Sequence, residues 1–494
     1  MLMNWNAEGG MLPNTNESVH ACRSSCAAAK IARVMLRARV TGGMVPDPYG
    51  WRVLRRIGRL LLALGVLGGA LVIAATLSQW TWSQAEPPLP PTPRLEFLTQ
   101  SAAQAIAAGK LPRARQQLEE VLAEEPHRAP ALLLQACIAL ETRDTPGAEA
   151  ALDRLRSAAP GQLEPALLQR MLEYRNRVPA PGWRQAFLQA WTELGRSTFA
   201  SSPLLPEATL DTVHASPLAE GWERIMDTPL RLTLVLASPQ LSDAQARWLI
   251  KQLPALEEPA LTQAASVALL AAHLPYALHE QARAAIRRRL SRLVEAAPTA
   301  MHPRLLLRWA DNSEWVTFNA QELEELESIA ALPSWTTASF TSTFLEARAR
   351  LMETGLPNPS AGALRVALLS HGDWGLILLL KRAEATRSQL QPSARHRLGR
   401  VLWNIGSRLD QEATALMRMI GLQLMLDGAT DLGDEAERER VDKRMAEARA
   451  LLTAANHAAI ERWPLPSLWE EVAEARARDE WAHVRELAGG TTTR

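Results

Sequence analysis

The chain repeats itself at an offset of thirty-four residues. Written one above the other, 98-LTQSAAQAIAAGKLPRARQQLEEVLAEEP-126 and 132-LLLQACIALETRDTPGAEAALDRLRSAAP-160 put Leu98 on Leu132, Ala102 on Ala136, Ala105 on Ala139 and Pro112 on Pro146. The register then carries Ala114 onto Ala148, Leu118 onto Leu152, Val121 onto Leu155 and Pro126 onto Pro160. A fixed period of this length means that one small supersecondary unit is used again and again. No such unit buries its apolar face alone, so the units must stack.

The pattern inside the period says what the unit is. Leu118, Val121 and Leu122 recur at helical spacing and make the buried stripe of a second helix. Gly109 breaks the first helix, and Pro126 and Pro160 close each unit because proline cannot continue a helix interior. Small residues at Ala102 and Ala114, and again at Ala136 and Ala148, let the two helices of a hairpin approach closely. A third first helix, Pro165–Tyr174, continues the phase.

Period, small residues and closing proline together resemble the tetratricopeptide repeat (TPR) family. Leu98, Ala105 and Ser101-Ala102 stand where the family pattern has tryptophan, tyrosine and leucine-glycine, so these units are divergent. The resemblance covers about Leu95 to Val178. It implies antiparallel helix pairs stacked in a right-handed superhelix, with a concave surface that commonly binds peptides or protein segments.

Beyond Pro179 the period fades but the texture stays helical. Trp183, Phe187, Trp191 and Leu194 form one apolar stripe, and Val441, Met445, Ala448, Leu452, Ala455 and Ala459 mark a long amphipathic helix within Glu435–Trp463. Leu230–Leu236 alternates enough to suggest a strand, yet leucine prefers helix and no partner strand is evident, so helix is expected. Ser313-Glu314-Trp315, Gly372-Asp373-Trp374 and Asp479-Glu480-Trp481 each follow an amphipathic segment. Each tryptophan is expected to begin the second helix of a degenerate hairpin.

Leu60 to Leu77 runs LLLALGVLGGALVIAATL without a charge. Such a run in helical form spans a hydrocarbon core of ~30 Å. Arg52, Arg55, Arg56 and Arg59 precede it and Glu86 follows, which by the positive-inside rule keeps the N-terminus in the cytoplasm. A retained single-pass anchor is expected over 51–83, with its core at 60–78. A cleaved signal peptide ending at Ser83-Gln84-Ala85 is the competing reading, but the apolar run exceeds a typical signal core. Gly65 and Gly69, one turn apart, offer a small-residue face for helix packing and hence for a homodimer through the anchor.

Residues 1–50 read as a disordered cytoplasmic tail, with Met44 an alternative start. His20, Cys22 and Cys26 lack a fourth ligand there and read as free groups. Five prolines between Glu86 and Pro93 give residues 84–94 the character of a stiff spacer. Residues 95–178 are the repeats and 179–494 an irregular, TPR-like helical region. The expected fold class is all-α throughout.

Charge divides at the same place. Up to Ala85 nine Lys/Arg face three acids, whereas the whole chain has 54 bases against 53 acids. Near-neutrality excludes a uniformly basic nucleic-acid binder, and three cysteines cannot build a disulfide framework. Catalytic patterns fail at their first requirement. Gly109-Lys110 is followed by Leu111 rather than Ser or Thr, and in His279-Glu280-Gln281-Ala282-Arg283 a guanidinium stands where a zinc protease needs its second histidine. His273 lies on a poorly matched helical face, Cys137 reads as a small core hydrophobe, and Glu257-Glu258 and Glu324-Glu325 diverge on a helix as solvated surface.

The expectation is therefore a protein without catalytic residues, cofactor or metal. It would be a scaffold anchored in a bacterial inner membrane, with its C-terminal region on the exported side, binding protein partners through the concave surface. Arginine in place of lysine and abundant alanine suggest the bacterial source. An envelope hydrolase acting on glycans, with a carboxylate site hidden in 180–494, is the alternative.

Overall fold

The thirty-four-residue period is written into the backbone as well as the side chains. In the computed structural model, which describes residues 93–207, 215–311, 317–336, 338–372 and 374–489, the first hairpin pairs α1 (Pro93–Ala107) with α2 (Leu111–Glu124). Between them the Gly109 N–H donates to Ile106 O and the Lys110 N–H to Ala105 O, both at 2.8 Å. Thirty-four residues later Arg143 donates to Leu140 O at 3.1 Å and Asp144 to Ala139 O at 2.8 Å, between α3 (Ala129–Glu141) and α4 (Thr145–Ala158). This is the closing motif of a helix end, which needs one residue in the left-handed region. Gly109 takes it at φ +70° and Arg143 at φ +57°. Arginine pays ~1 kcal/mol for a conformation that glycine adopts freely, so the stacking of the unit, not local preference, sets this turn.

The third hairpin joins α5 (Glu164–Arg175) to α6 (Trp183–Glu193) through a longer connection. Trp183, Phe187 and Trp191 are all buried on α6, as their spacing requires. Irregular helices follow: α7 (Ala215–Arg224), α8 (Thr228–Ala237), α9 (Asp243–Gln252), α10 (Pro259–Ala271), α11 (Tyr276–Ala296), α12 (Met301–Asp311) and α13 (Ala320–Ala330). The alternating Leu230–Leu236 segment lies wholly within α8 and is buried from Leu232 onward. Then come α14 (Phe340–Glu353), α15 (Pro359–His371), α16 (Trp374–Arg387), α17 (Pro392–Leu409), α18 (Ala415–Leu432), α19 (Glu435–Asn456) and α20 (Pro466–Ala488). Among the described residues the only β-type pairing is an isolated parallel bridge between Ala300 and Ser334, so the all-α expectation holds. Pro93–Arg494 forms one compact unit.

Among the described residues the most extensive helix–helix contact is the α17–α18 hairpin, and its cause is four glycines. Gly399 and Gly406 on α17 face Gly428 and Gly421 on α18 in antiparallel register. A Cβ at Gly406 would lie 2.5 Å from the Gly421 carbonyl oxygen, and one at Gly421 would lie 2.7 Å from the Gly406 oxygen. The outer pair is just as tight, at 2.9 and 2.8 Å. Backbone lies on backbone here, with no room for even a methyl group.

The recurring tryptophan motifs mark helix starts but not hairpins. α16 begins at Trp374, yet α15 and α16 meet at a bend of only 42° instead of reversing. α20 breaks at Asp479 (φ −161°, ψ 95°), whose carboxylate accepts from the Ala482 N–H at 2.9 Å as a new helix cap. Trp481 thus sits in the first turn of a second segment, as its motif suggested. Trp315 lies outside the described residues. α19 follows the amphipathic pattern, burying Val441, Met445, Ala448 and Ala455 before it ends at Asn456. Among the described residues no single helix is long and apolar enough to cross a membrane. The anchor expected at 51–83, with Gly65 and Gly69, lies outside them.

Candidate interaction surface

The first helices α1, α3 and α5 pack side by side, whereas the second helices α2 and α4 share no comparable contact. The first helices therefore line the inside of the curve, the face expected to receive a partner. On α3 that face presents Leu133, Cys137 and Leu140 at i, i+4 and i+7, and on α5 it presents Leu167 and Met171. All five are at most 4% exposed. They belong to one continuous apolar cluster with Ile460, Trp463, Leu465, Leu468 and Trp469 from the C-terminal part of the chain. Trp463 is completely buried, with the rings of Phe187 and Phe199 edge-on at 5.9 and 5.2 Å. The inner face is filled from within.

Polar contacts fix this return. The Arg462 guanidinium donates to the carbonyls of Phe199, Ala200, Ser202, Leu205 and Pro206, at 2.7 to 3.3 Å, and so clamps the loop that follows α6. α20 then ties together helix N-termini from distant parts of the chain. Glu471 accepts from the Trp183 and Arg184 N–H groups at the start of α6, both at 2.9 Å. Glu470 takes the Ser360 N–H at 3.0 Å at the start of α15, and Glu480 takes the Ala415 N–H at 2.7 Å at the start of α18. The start of α20 is capped in turn by Glu141 of α3, which accepts from the Ser467 N–H at 3.0 Å and hydroxyl at 2.7 Å. The first amides of a helix have no partner within it and carry its positive end, so each carboxylate satisfies donors that would otherwise be buried bare. Burial still pushes the Glu141 and Glu470 carboxyls above their usual range.

Sequence reasoning missed these glutamates. The one available signal was Glu141, which occupies the position of Ala107 in the first unit and Arg175 in the third. A position free to vary within a repeat is one whose partner lies outside it.

The other buried carboxylates described also have partners, although Glu164 keeps one buried oxygen without any. Glu322 bonds to Arg308 at 2.5 Å and to Arg382 at 3.0 Å. Burial alone would raise its pKa, but the Asn319 amide and the Arg382 guanidinium more than offset that and hold it below the usual range. Asp431 meets Arg387 at 2.8 Å, and the buried Glu164 accepts the Ser202 hydroxyl. Of the acids the sequence set aside as solvated surface, Glu258 and Glu325 are half-buried: Glu258 pairs with Arg350 at 2.9 Å and Glu325 with Arg308 at 3.3 Å. An open cavity of about 440 Å³ lies against α5 and α6, lined by Tyr174, Arg177, Gln189, Glu193, Arg196 and Glu486 among others. Its acids are engaged: the Tyr174 hydroxyl donates to Glu193, and Arg184 reaches Glu486 at 2.5 Å.

Cys137 is a free, fully buried thiol pushed well up by burial, which suits a core hydrophobe. His273 is exposed ahead of α11 and His279 sits in its first turn, while Arg283 donates to the Ala310 carbonyl at 2.9 Å. Among the described residues no three His, Cys, Asp or Glu side chains are grouped to hold a metal.

Residues 105–172 match the model of the tetratricopeptide repeat family. This agrees with the resemblance carried by the thirty-four-residue period and runs from the end of α1 through α2, α3 and α4 into α5. No curated protein and no solved structure matches the chain.

Proposed function

We propose that the chain is a non-catalytic scaffold that binds protein partners, held by residues 51–83 in a bacterial inner membrane with its repeat region on the exported side. Assembly, secretion or polysaccharide-export complexes are the settings that suit such a protein. One observation carries the reading: tetratricopeptide repeats, which generally mediate protein–protein contacts, open an all-helical array. The membrane part is supported by the uncharged run at 60–77 and the four arginines before it. Gly65 and Gly69 would pair two anchors. Because the inner face of the repeats is taken up by residues 455–469, partners dock on other surfaces.

Crosslinking in native membranes, with identification of the captured proteins, tests the scaffold. A reproducible set of partners is expected. Capture of random neighbours only, together with glycan hydrolysis by the purified chain, would replace the scaffold with the envelope hydrolase. Accessibility of engineered cysteines on either side of 60–77 to a membrane-impermeant thiol reagent tests the topology.

A further inference from the structure

Among the described residues five arginines lie over aromatic rings besides Arg177, which stacks on Tyr174, and most of them also satisfy an oxygen acceptor. Arg175 donates to Pro181 O, Arg196 to Leu487 O, Arg418 to Glu412 O and Arg382 to Glu322. Arg231 does not. Its guanidinium carbon lies 4.0 Å from the Trp222 ring centroid and 5.2 Å from that of Trp248, in the angle between two indoles whose planes meet at 67°. Three helices build this seat: Trp222 comes from α7, Arg231 from the first turn of α8 and Trp248 from α9. The side chain makes no hydrogen bond and no ion pair with any described residue. Its Nε is buried without an acceptor, and the residue as a whole is partly exposed.

The two indoles fix the guanidinium plane, so that little rotamer freedom is left to lose on binding. Two parallel Nη–H donors on a fixed plane match the two oxygens of a carboxylate. Met226, at the joint between α7 and α8, is 80% exposed and offers an apolar contact nearby in the chain.

We propose that Arg231, seated between Trp222 and Trp248, is a receptor for a carboxylate side chain on an acidic, partly apolar segment of a partner protein. The site rests on the scaffold reading and gives it a location away from the filled inner face.

The full-length chain and its R231Q and R231K variants are panned against random dodecapeptides displayed on phage. Unchanged near-ultraviolet circular dichroism confirms that each variant is folded. Peptides selected by the parent should be rich in Asp and Glu beside apolar residues. Synthetic copies should bind R231Q about tenfold more weakly, as expected for the loss of a charge-assisted pair, with R231K in between. Amidating the peptide carboxylates should weaken binding to the parent to the same degree. Equal binding by R231Q, absence of acidic enrichment, or Arg231-dependent sedimentation with phosphatidylglycerol vesicles in place of peptide binding would each overturn the proposal. Native-membrane crosslinks retained in R231Q would sink this site alone, whereas crosslinks absent from the parent would sink the scaffold reading beneath it.

Discussion

Two hairpins in this molecule solve the same packing problem in different ways. In α3–α4 the helices are spaced by alanine, with Ala136 and Ala148 fully buried between them. In α17–α18 they meet backbone to backbone through Gly399, Gly406, Gly421 and Gly428. The alanine hairpin belongs to a series and stacks on like neighbours, so its contacts recur at a fixed offset. The glycine hairpin has no counterpart among the described residues and gains its stability from one extensive, very close contact. A methyl spacer tolerates small adjustments that direct backbone contact does not, because the partner carbonyl cannot rotate away.

The largest way to break the periodic region is to attack what fills its inner face. Trp463→Ala should cost about 3–5 kcal/mol, since a fully buried indole leaves a cavity between Phe187 and Phe199. Urea unfolding would measure it. A loss below about 1 kcal/mol would mean that the repeats stand without the C-terminal return.

Acid separates the regions next. His302 on α12 and His483 on α20 are both depressed to about 3, chiefly by burial, while His127, within the periodic hairpins, is exposed. His302 is enclosed by Gln263, which faces its Nδ1, by the stacked Trp335 and by the like-charging His371; Arg184 and Arg476 press on His483. A histidine whose folded pKa lies below the unfolded ~6.5 holds fewer protons when folded. Stability is therefore complete above that value and falls as the pH drops from ~6.5 toward 3, by ~1.4 kcal/mol per pH unit for each group. The raised carboxyls of Glu141, Glu412, Asp427 and Glu470 act oppositely. They bind protons more readily when folded, so they return part of the loss near pH 5 and below. Unfolding midpoints between pH 7 and 5 should fall for the parent and fall less for His302→Gln; parallel slopes would disprove the assignment.

Gly406→Ala sharpens the comparison directly. Helix propensity favours alanine by ~1 kcal/mol, yet the new Cβ would lie 2.5 Å from the Gly421 oxygen. A net loss of about 2 kcal/mol is expected by chemical unfolding. A neutral or stabilised variant would show that the two backbones are not in contact. The reverse exchange, Ala148→Gly, should cost only about 1 kcal/mol, mostly through propensity. If it cost as much as Gly406→Ala, the distinction between the hairpins would fail.

The contrast also explains what could be read from the residues alone. The repeat hairpins were legible down to the turn at Gly109 because the contacts that form each hairpin are local and recur thirty-four residues on. The stripes of α6 and α19 followed from spacing within one element, whereas the helical state of 230–236 followed from the preference of leucine against an alternation that suggested a strand. The glycine hairpin was not recognised, although Gly399/Gly406 and Gly421/Gly428 share a spacing of seven that brings both pairs to one face. One such pair says little until the other is known to oppose it. The carboxylate caps were out of reach for a stronger reason. Glu471 meets Trp183 across nearly three hundred residues, and no local pattern records which helix end a distant side chain will find. Arg231 was likewise unmarked, since Trp222 and Trp248 converge on it only once three helices have packed.

The caps on α20 set an order of events. Synthesis runs from the N-terminus, so α6, α15 and α18 all emerge before the residues that complete their first turns. Until 466–488 are available, the starts of those three helices keep their amides for water, and until 455–469 are available Leu133, Cys137, Leu167 and Met171 lack their cover. The early hairpins can form by local contacts, but their apolar surface shows until residues 455–488 reach it. A product cut before those residues would therefore expose apolar surface that the longer chain hides.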